Sequence, residues 1–235
     1  MRPFFSYFGS KHNLARHLGP PRRPLVIEPF AGSACYSLYW NVRRAILVDI
    51  DPIIAGIWRY LIRVSPEEIL SLPWRLDRCE ELPPNIPQEA RDLIGFWLDR
   101  GMARPVSRRS NWARQPQSWT KVWSRTIQLR IASQLHRIRD WQVIEGDYHD
   151  APDVEAHWHI DPPYQIAGHG YVCNSSQLDY AALAAWCRSR PGFVQVCENR
   201  GADWLPFEDF REVNNTGIAG RGRSVEVLFE DQNEQ

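Results

Sequence analysis

The chain has 235 residues, 43% of them hydrophobic, enough to bury a core without disulfide or metal staples and short enough for one domain with a smaller insertion. No run of eighteen apolar residues occurs, which excludes a membrane-spanning helix, and Met1-Arg2-Pro3-Phe4-Phe5 lacks the apolar stretch of a signal peptide. The 28 Lys and Arg balance the 28 Asp and Glu, which on totals alone argues against a polyanionic partner.

In chain order, Leu25-Val26-Ile27 reads as a short buried strand running into the turn Glu28-Pro29-Phe30-Ala31-Gly32-Ser33-Ala34. A helix is predicted around Tyr36–Val42, then a second apolar strand, Ala45–Asp49, with an acid at its C-terminal end. Pro52 opens a helix through about Val64, with Asp51 as its cap. This β–α–β–α pattern with buried strands predicts an α/β fold built on a doubly wound, mostly parallel sheet. From Pro66 to about Pro116 the chain turns rich in Pro, Arg and Trp. It reads as a mainly helical insertion, with helices near 66–72 and 87–100 and a basic amphipathic helix over 118–139. The apolar positions of that last helix are Val122, Ile127, Leu129, Ile131, Leu135 and Ile138. Strands resume at 142–147 and 157–161, a helix follows over 178–189, then a strand at 193–197 and a last, edge strand at 225–229.

The neutral total hides a polarised distribution. Residues 100–139 hold ten Lys and Arg and no acid, so this segment carries +10 and the remainder −10. Arg2, Lys11, Arg16, Arg22 and Arg23 form a second basic group before the first acid, Glu28. Two basic patches suit one polyanion-binding face. Of the 28 cations 26 are Arg, which suits bidentate contacts to phosphate and guanine, although codon usage would produce the same bias. Five cysteines, odd in number and with no Cys-x-x-Cys pair, predict neither a disulfide framework nor a zinc ribbon but a reduced, cytoplasmic chain.

Four segments carry candidate chemistry. The small residues of the turn 28–34 let a ligand approach the backbone, but the turn is not the Gly-x-Gly-x-x-Gly fingerprint, which disfavours NAD. Asp49 stands where an acid receives ribose hydroxyls in doubly wound sheets. In Asp161-Pro162-Pro163-Tyr164 two prolines stiffen a corner that offers a carboxylate and the Pro162 carbonyl as acceptors beside an aromatic ring. Such a corner suits a planar group bearing an NH₂. Phe5-Ser6-Tyr7-Phe8-Gly9-Ser10-Lys11 supplies an aromatic, a glycine turn and a Lys that would close over a nucleoside and its carboxylate tail.

In content and order these segments resemble the DNA adenine methylase (Dam-type) family, the α-group N6-adenine DNA methyltransferases. The matching steps are Phe5 to Lys11, Glu28 to Ala34, Asp49, Gly146-Asp147-Tyr148, Asp161-Pro162-Pro163-Tyr164 and the closing strand Gly222 to Leu228. Ser10 and Ala34 stand where the family has glycine. The resemblance implies a Rossmann-like S-adenosylmethionine-binding catalytic domain, 1–64 with 140–235, interrupted by a target-recognition, DNA-binding insertion at 65–139. It implies that Tyr7, Lys11, Glu28, Pro29, Phe30, Gly32, Ser33, Ala34, Asp49, Asp147, Tyr148 and Asp161 contact S-adenosyl-L-methionine, and that Asp161, Pro162 and Tyr164 act on the target base. Its reaction is direct methyl transfer to an exocyclic amine, on a base extruded from the duplex and stacked on Tyr164. Phosphate and base contacts fall to Arg108, Arg109, Asn111, Arg114, Lys121 and Arg125 in the basic segment. Trp112, Trp119 and Trp123 either fill the vacated stack or pack the insertion, with packing favoured for each.

N4-cytosine methylation is the nearest alternative, since the same two acceptors serve either amine; an RNA methylase and a non-catalytic DNA-binding module are weaker ones. Expected partners are duplex DNA and a cognate restriction endonuclease, with the chain a monomer or weak dimer, without metal and off the membrane. His157 and His159 lack a third metal ligand nearby, and Cys197, in Cys197-Glu198-Asn199, lacks a base to make it a nucleophile.

Overall fold

The computed structural model describes residues 1–166, 170, 175–215 and 222–233. Seven strands form one mixed sheet: β1 Leu25–Glu28, β2 Arg44–Asp49, β3 Gln142–Glu145, β4 Ala156–Ile160, β5 Gly192–Asn199, β6 Glu208–Asn215 and β7 Gly222–Asn233. Their order is β3-β2-β1-β4-β5-β7-β6. The first five run parallel, and β7 lies antiparallel between β5 and β6. The architecture is thus the expected Rossmann-like α/β sheet. Strand order reverses between β1 and β4, so the carboxyl ends of these two neighbours open a crevice at the switch point.

Helices cover both faces, which is why the parallel strands read as apolar runs rather than alternating ones. Val26 and Leu47 point into one core with Phe5, Trp58 and Leu61, while Ile27, Ile46 and Val48 point into the other with Trp158, Leu183 and Val194. The helices are α1 His12–Ala15, α2 Cys35–Tyr39, α3 Pro52–Arg63, α4 Pro66–Ser71, α5 Gln88–Leu98, α6 Arg125–Gln134 and α7 Tyr180–Arg188. Asp51 caps α3 as expected, its carboxylate accepting from Ile53 N at 2.9 Å. At α4 Ser65 and Glu68 form a reciprocal capping box. The segment between α3 and β3 adds no strand to the sheet, and its apolar residues join the first core: Phe5 and Phe96 meet with ring centroids 5.4 Å apart.

Three expectations are corrected. The helix predicted over 118–139 is α6, Arg125–Gln134, flanked by 3-10 turns at 116–118 and 135–137. Pro116, Ser118, Thr120 and Ser124 favour turns and caps upstream of it. Leu129, read with the apolar positions of that helix, is 51% exposed, because two residues after buried Ile127 the helix has turned to its outer face. The strand over 225–229 is not the edge. It belongs to β7, an interior strand, and the edge is β6, Glu-Asp-Phe-Arg-Glu-Val-Asn-Asn, whose charges hide it from a search for apolar runs.

Candidate active site

A cavity opens where the switch point predicts. Its wall includes Tyr7, Lys11, the whole loop 28–34, Asp49, Gly146-Asp147-Tyr148 and Asp161. Loop 28–34 is fixed from several sides. Ala31 N donates to Val48 O at 3.0 Å, Gly32 N to Asp49 Oδ2 at 2.8 Å, and Trp58 Nε1 to Gly32 O at 2.8 Å. Gly32 has φ +44°, and a Cβ there would lie 3.1 Å from the Tyr7 ring, so the turn and the N-terminal motif are fitted to one another. Ala34 also adopts the left-handed region, φ 47° and ψ 45°, at a position where glycine would sit without strain.

The carboxylates of the wall are held by backbone donors. Glu28, buried at the end of β1, accepts from Ser37 N at 2.9 Å, and burial pushes its carboxyl up to about 7. Asp49 accepts from Gly32 N and from Asp51 N at 2.9 Å, yet burial still raises it to about 6. Asp147 caps the 3-10 turn 148–150, and the rings of Phe30 and Tyr148 stack at 5.6 Å.

Asp161 is held differently: it forms an ion pair with Lys11, Nζ lying 3.0 and 3.2 Å from the two carboxylate oxygens. The same Nζ lies 4.2 Å over the Tyr164 ring. Tyr164 and Pro162 are buried behind the wall rather than on it, and the Tyr164 hydroxyl donates to buried Glu226 at 2.5 Å. Pro163 does line the cavity.

Sequence reasoning missed several wall residues. Ile50, 51% exposed between two acids, offers an apolar contact, and its exposure has no sequence signal beyond its place after a strand-end acid. Cys35 Sγ lies 2.9 Å from Ser10 Oγ and 3.3 Å from Ser33 Oγ, so Ser10, read as a departure from glycine, ties the N-terminal motif to the loop. His159 reaches the wall while stacked on Tyr36 at 4.4 Å, and His157 stacks on Tyr36 at 4.8 Å. Burial lowers His157 to about 3 and His159 to about 4, so both are neutral aromatic packing. No cluster of metal-ligating residues occurs among the described residues, and no helix there is long and apolar enough to cross a membrane. Cys35, Cys79, Cys187 and Cys197 are free thiols; Cys173 lies outside the described residues.

The basic segment divides. Arg109 donates to Trp123 O at 2.6 Å, Arg125 to Leu70 O at 2.7 Å and Arg139 to Val64 O at 2.6 Å. Arg114 pairs with Asp77 at 2.8 Å and donates to Asn111 Oδ1 at 3.3 Å. Arg100, Arg104, Arg108 and Lys121 are exposed and without a side-chain partner among the described residues. Trp123 is fully buried, whereas Trp112 and Trp119 are exposed, Trp119 by 56%.

Residues 7–87 match the family model of the D12 class N6 adenine-specific DNA methyltransferases. The matched stretch holds Tyr7, Lys11, loop 28–34 and Asp49, and over it the resemblance read from the motifs is borne out. No curated protein matches the chain. Among solved structures it is similar to yhhF from Escherichia coli, provisionally named a methyltransferase, at 10% identity and TM-score 0.39, covering 95% of this chain and 82% of that one. It is also similar to the rRNA methyltransferase aviRa from Streptomyces viridochromogenes, at 16% identity and TM-score 0.38, covering 98% and 88%.

Proposed function

We propose that this chain, whose residues 7–87 carry the signature of the D12 class N6 adenine-specific DNA methyltransferases, methylates the N6 amino group of adenine in a specific duplex DNA sequence, with S-adenosylmethionine as donor. The observation that carries the reading is the meeting of Asp161, from the end of β4, with loop 28–34, from the end of β1, on the wall of one cavity.

The residues of that wall fit the donor. A sulfonium and an ammonium suit a cavity lined by Glu28, Asp49, Asp147 and Asp161, and a planar base suits Phe30, Tyr148 and Ile50. Glu28 and loop 28–34 would hold the methionine end, Asp49 the ribose, and Asp147 the adenine amine. The bound donor supplies an activated methyl group. An amine conjugated to a purine is a poor nucleophile. Asp161, on the wall, accepts one of its hydrogens and the Pro162 carbonyl, behind the wall, would accept the other once the corner opens; together they would draw the amine toward tetrahedral geometry and stabilise the positive charge that develops on nitrogen. Orientation of the amine toward the methyl supplies much of the rate.

Lys11 holds Asp161 in the meantime, so an entering amine competes with an ammonium for the carboxylate, and because Tyr164 is buried behind the wall, stacking of the base on it requires both that Nζ leave the ring and that the corner open to uncover it. The target base must be extruded from the helix, and Arg100, Arg104, Arg108 and Lys121, exposed and without a side-chain partner among the described residues, are available to hold phosphates while it is. The region 65–139 is the proposed recognition unit.

Expression in a methylation-free host, followed by nucleoside analysis and long-read mapping of modified bases, tests the reading. N6-methyladenine at a fixed sequence is the expected product. N4-methylcytosine would transfer the same mechanism to the other amine, and unmodified DNA would sink the proposal.

A further inference from the structure

The corner 161–164 is gripped from behind by groups outside the cavity. Glu198, at the end of β5, is fully buried, and three N–H groups converge on its carboxylate. Gln165 N donates to Oε1 at 2.7 Å, Trp204 Nε1 to Oε1 at 3.1 Å, and Asn199 N to Oε2 at 2.7 Å. On the other side of Tyr164, the Tyr180 hydroxyl, from the first turn of α7, donates to Pro163 O at 2.6 Å. The main chain is therefore anchored at 163 and at 165, one residue before and one after Tyr164.

Glu198 does not line the cavity and its oxygens already receive donors, so it has no route to a substrate. Buried carboxylates are costly and persist where they are well satisfied. Burial raises the Glu198 carboxyl above its ordinary value despite the three donors. An apolar residue at this strand end would be easier to bury, but it would leave Gln165 N and Trp204 Nε1 without this acceptor.

We propose that Glu198 is a positioning residue: together with Tyr180 it fixes the backbone on both sides of Tyr164 and thereby the direction of the Pro162 carbonyl and the Asp161 carboxylate. The kinetic part rests on the methyl-transfer reading. Displacement of a reacting group by about 1 Å costs on the order of a hundredfold in rate, so E198A should lose about that factor in kcat. The KM for DNA and the affinity for S-adenosylmethionine should stay unchanged. E198Q keeps an oxygen for Gln165 N and should recover part of the loss; Y180F, a conservative change in the half-buried clamp, should lower kcat alone. Amide hydrogen exchange gives an arm independent of catalysis: protection of Gln165 N should fall in E198A while that of the β1 and β2 amides holds. A folded E198A protein with unchanged kcat overturns the proposal. So does a loss of kcat matched by equal losses in cofactor affinity and Tm that E198Q does not relieve, which marks a purely structural role. If the wild-type chain methylates nothing, the function reading falls, and the exchange arm alone decides the clamp, retained Gln165 protection in E198A overturning it.

Discussion

The sheet region and the 65–139 region handle charge in opposite ways. At the carboxyl ends of the parallel strands Glu28, Asp49 and Glu198 receive backbone N–H groups, because these ends feed turns and helix starts whose amides have no partner within the element. The 65–139 region is made of short helices and irregular chain, which leave carbonyls unpaired, and arginines answer them. Arg91 donates to Ile86 O at 3.1 Å and also reaches the Pro83 carbonyl, and Arg109, Arg125 and Arg139 cap others. These charges thus stabilise backbone. Others do not: Asp161 is held by a side chain rather than by an amide, and Arg100, Arg104, Arg108 and Lys121 are exposed without a side-chain partner among the described residues, and the proposed function rests on these.

Each side of that contrast can be broken. The largest effect is expected from D161A, which should reduce methyl transfer about a thousandfold while duplex binding, measured by fluorescence anisotropy, persists. An equal loss in both would return Asp161 to a structural role.

Next comes Glu28. Its carboxyl is raised in the fold, so its contribution to stability is fully present below about pH 4.5 and is lost as pH rises through about 7. The span corresponds to a difference on the order of 3 kcal/mol. E28Q should flatten the decline in unfolding free energy between pH 5 and 8, read from urea titrations. The two buried histidines oppose it, since their lowered values add stability that is lost as pH falls from about 6.5 toward 3. An unchanged slope in E28Q would show that Glu28 is not the group responsible.

Within the basic segment the contrast becomes a split between variants. R109A should cost about 2 kcal/mol of stability, because it abandons the Trp123 carbonyl. The R108A/K121A double variant should leave Tm unchanged, weaken DNA binding for all sequences and reduce the salt slope of log Kd by about two. Equal thermal stability in both proteins would erase the distinction. The smallest effect is expected from A34G, a gain of about 0.5 kcal/mol in the unfolding free energy from relief of the left-handed backbone. A loss of stability there would mean that the buried Ala34 methyl matters more than its φ.

The parts of the molecule that were legible in the sequence are those with local signatures. Buried parallel strands read as apolar runs, and an acid at a strand end announces the crevice, so the strand-end places of Glu28, Asp49 and Asp161 were legible, while their proposed roles rest on the family resemblance. β6 was not, because an edge strand guarded by Glu208, Asp209, Arg211 and Glu212 has no apolar signal. The partners of Arg139, Arg125 and Glu198 were equally hidden, since a contact from position 139 to the carbonyl of Val64 leaves no pattern along the chain. Burial of Tyr164 against Glu226 is likewise a product of strand order, which places β7 beside β5.

The pairing of β1 with β4 sets a timetable for synthesis. The strand bearing Glu28 is made before its neighbour, which follows only after the whole of 29–155 has been translated, a wait of roughly ten seconds at ordinary elongation rates. Until then the nascent chain holds β1 with one flank uncovered. The helices of 65–139 lie within that span and have time to form before the crevice exists.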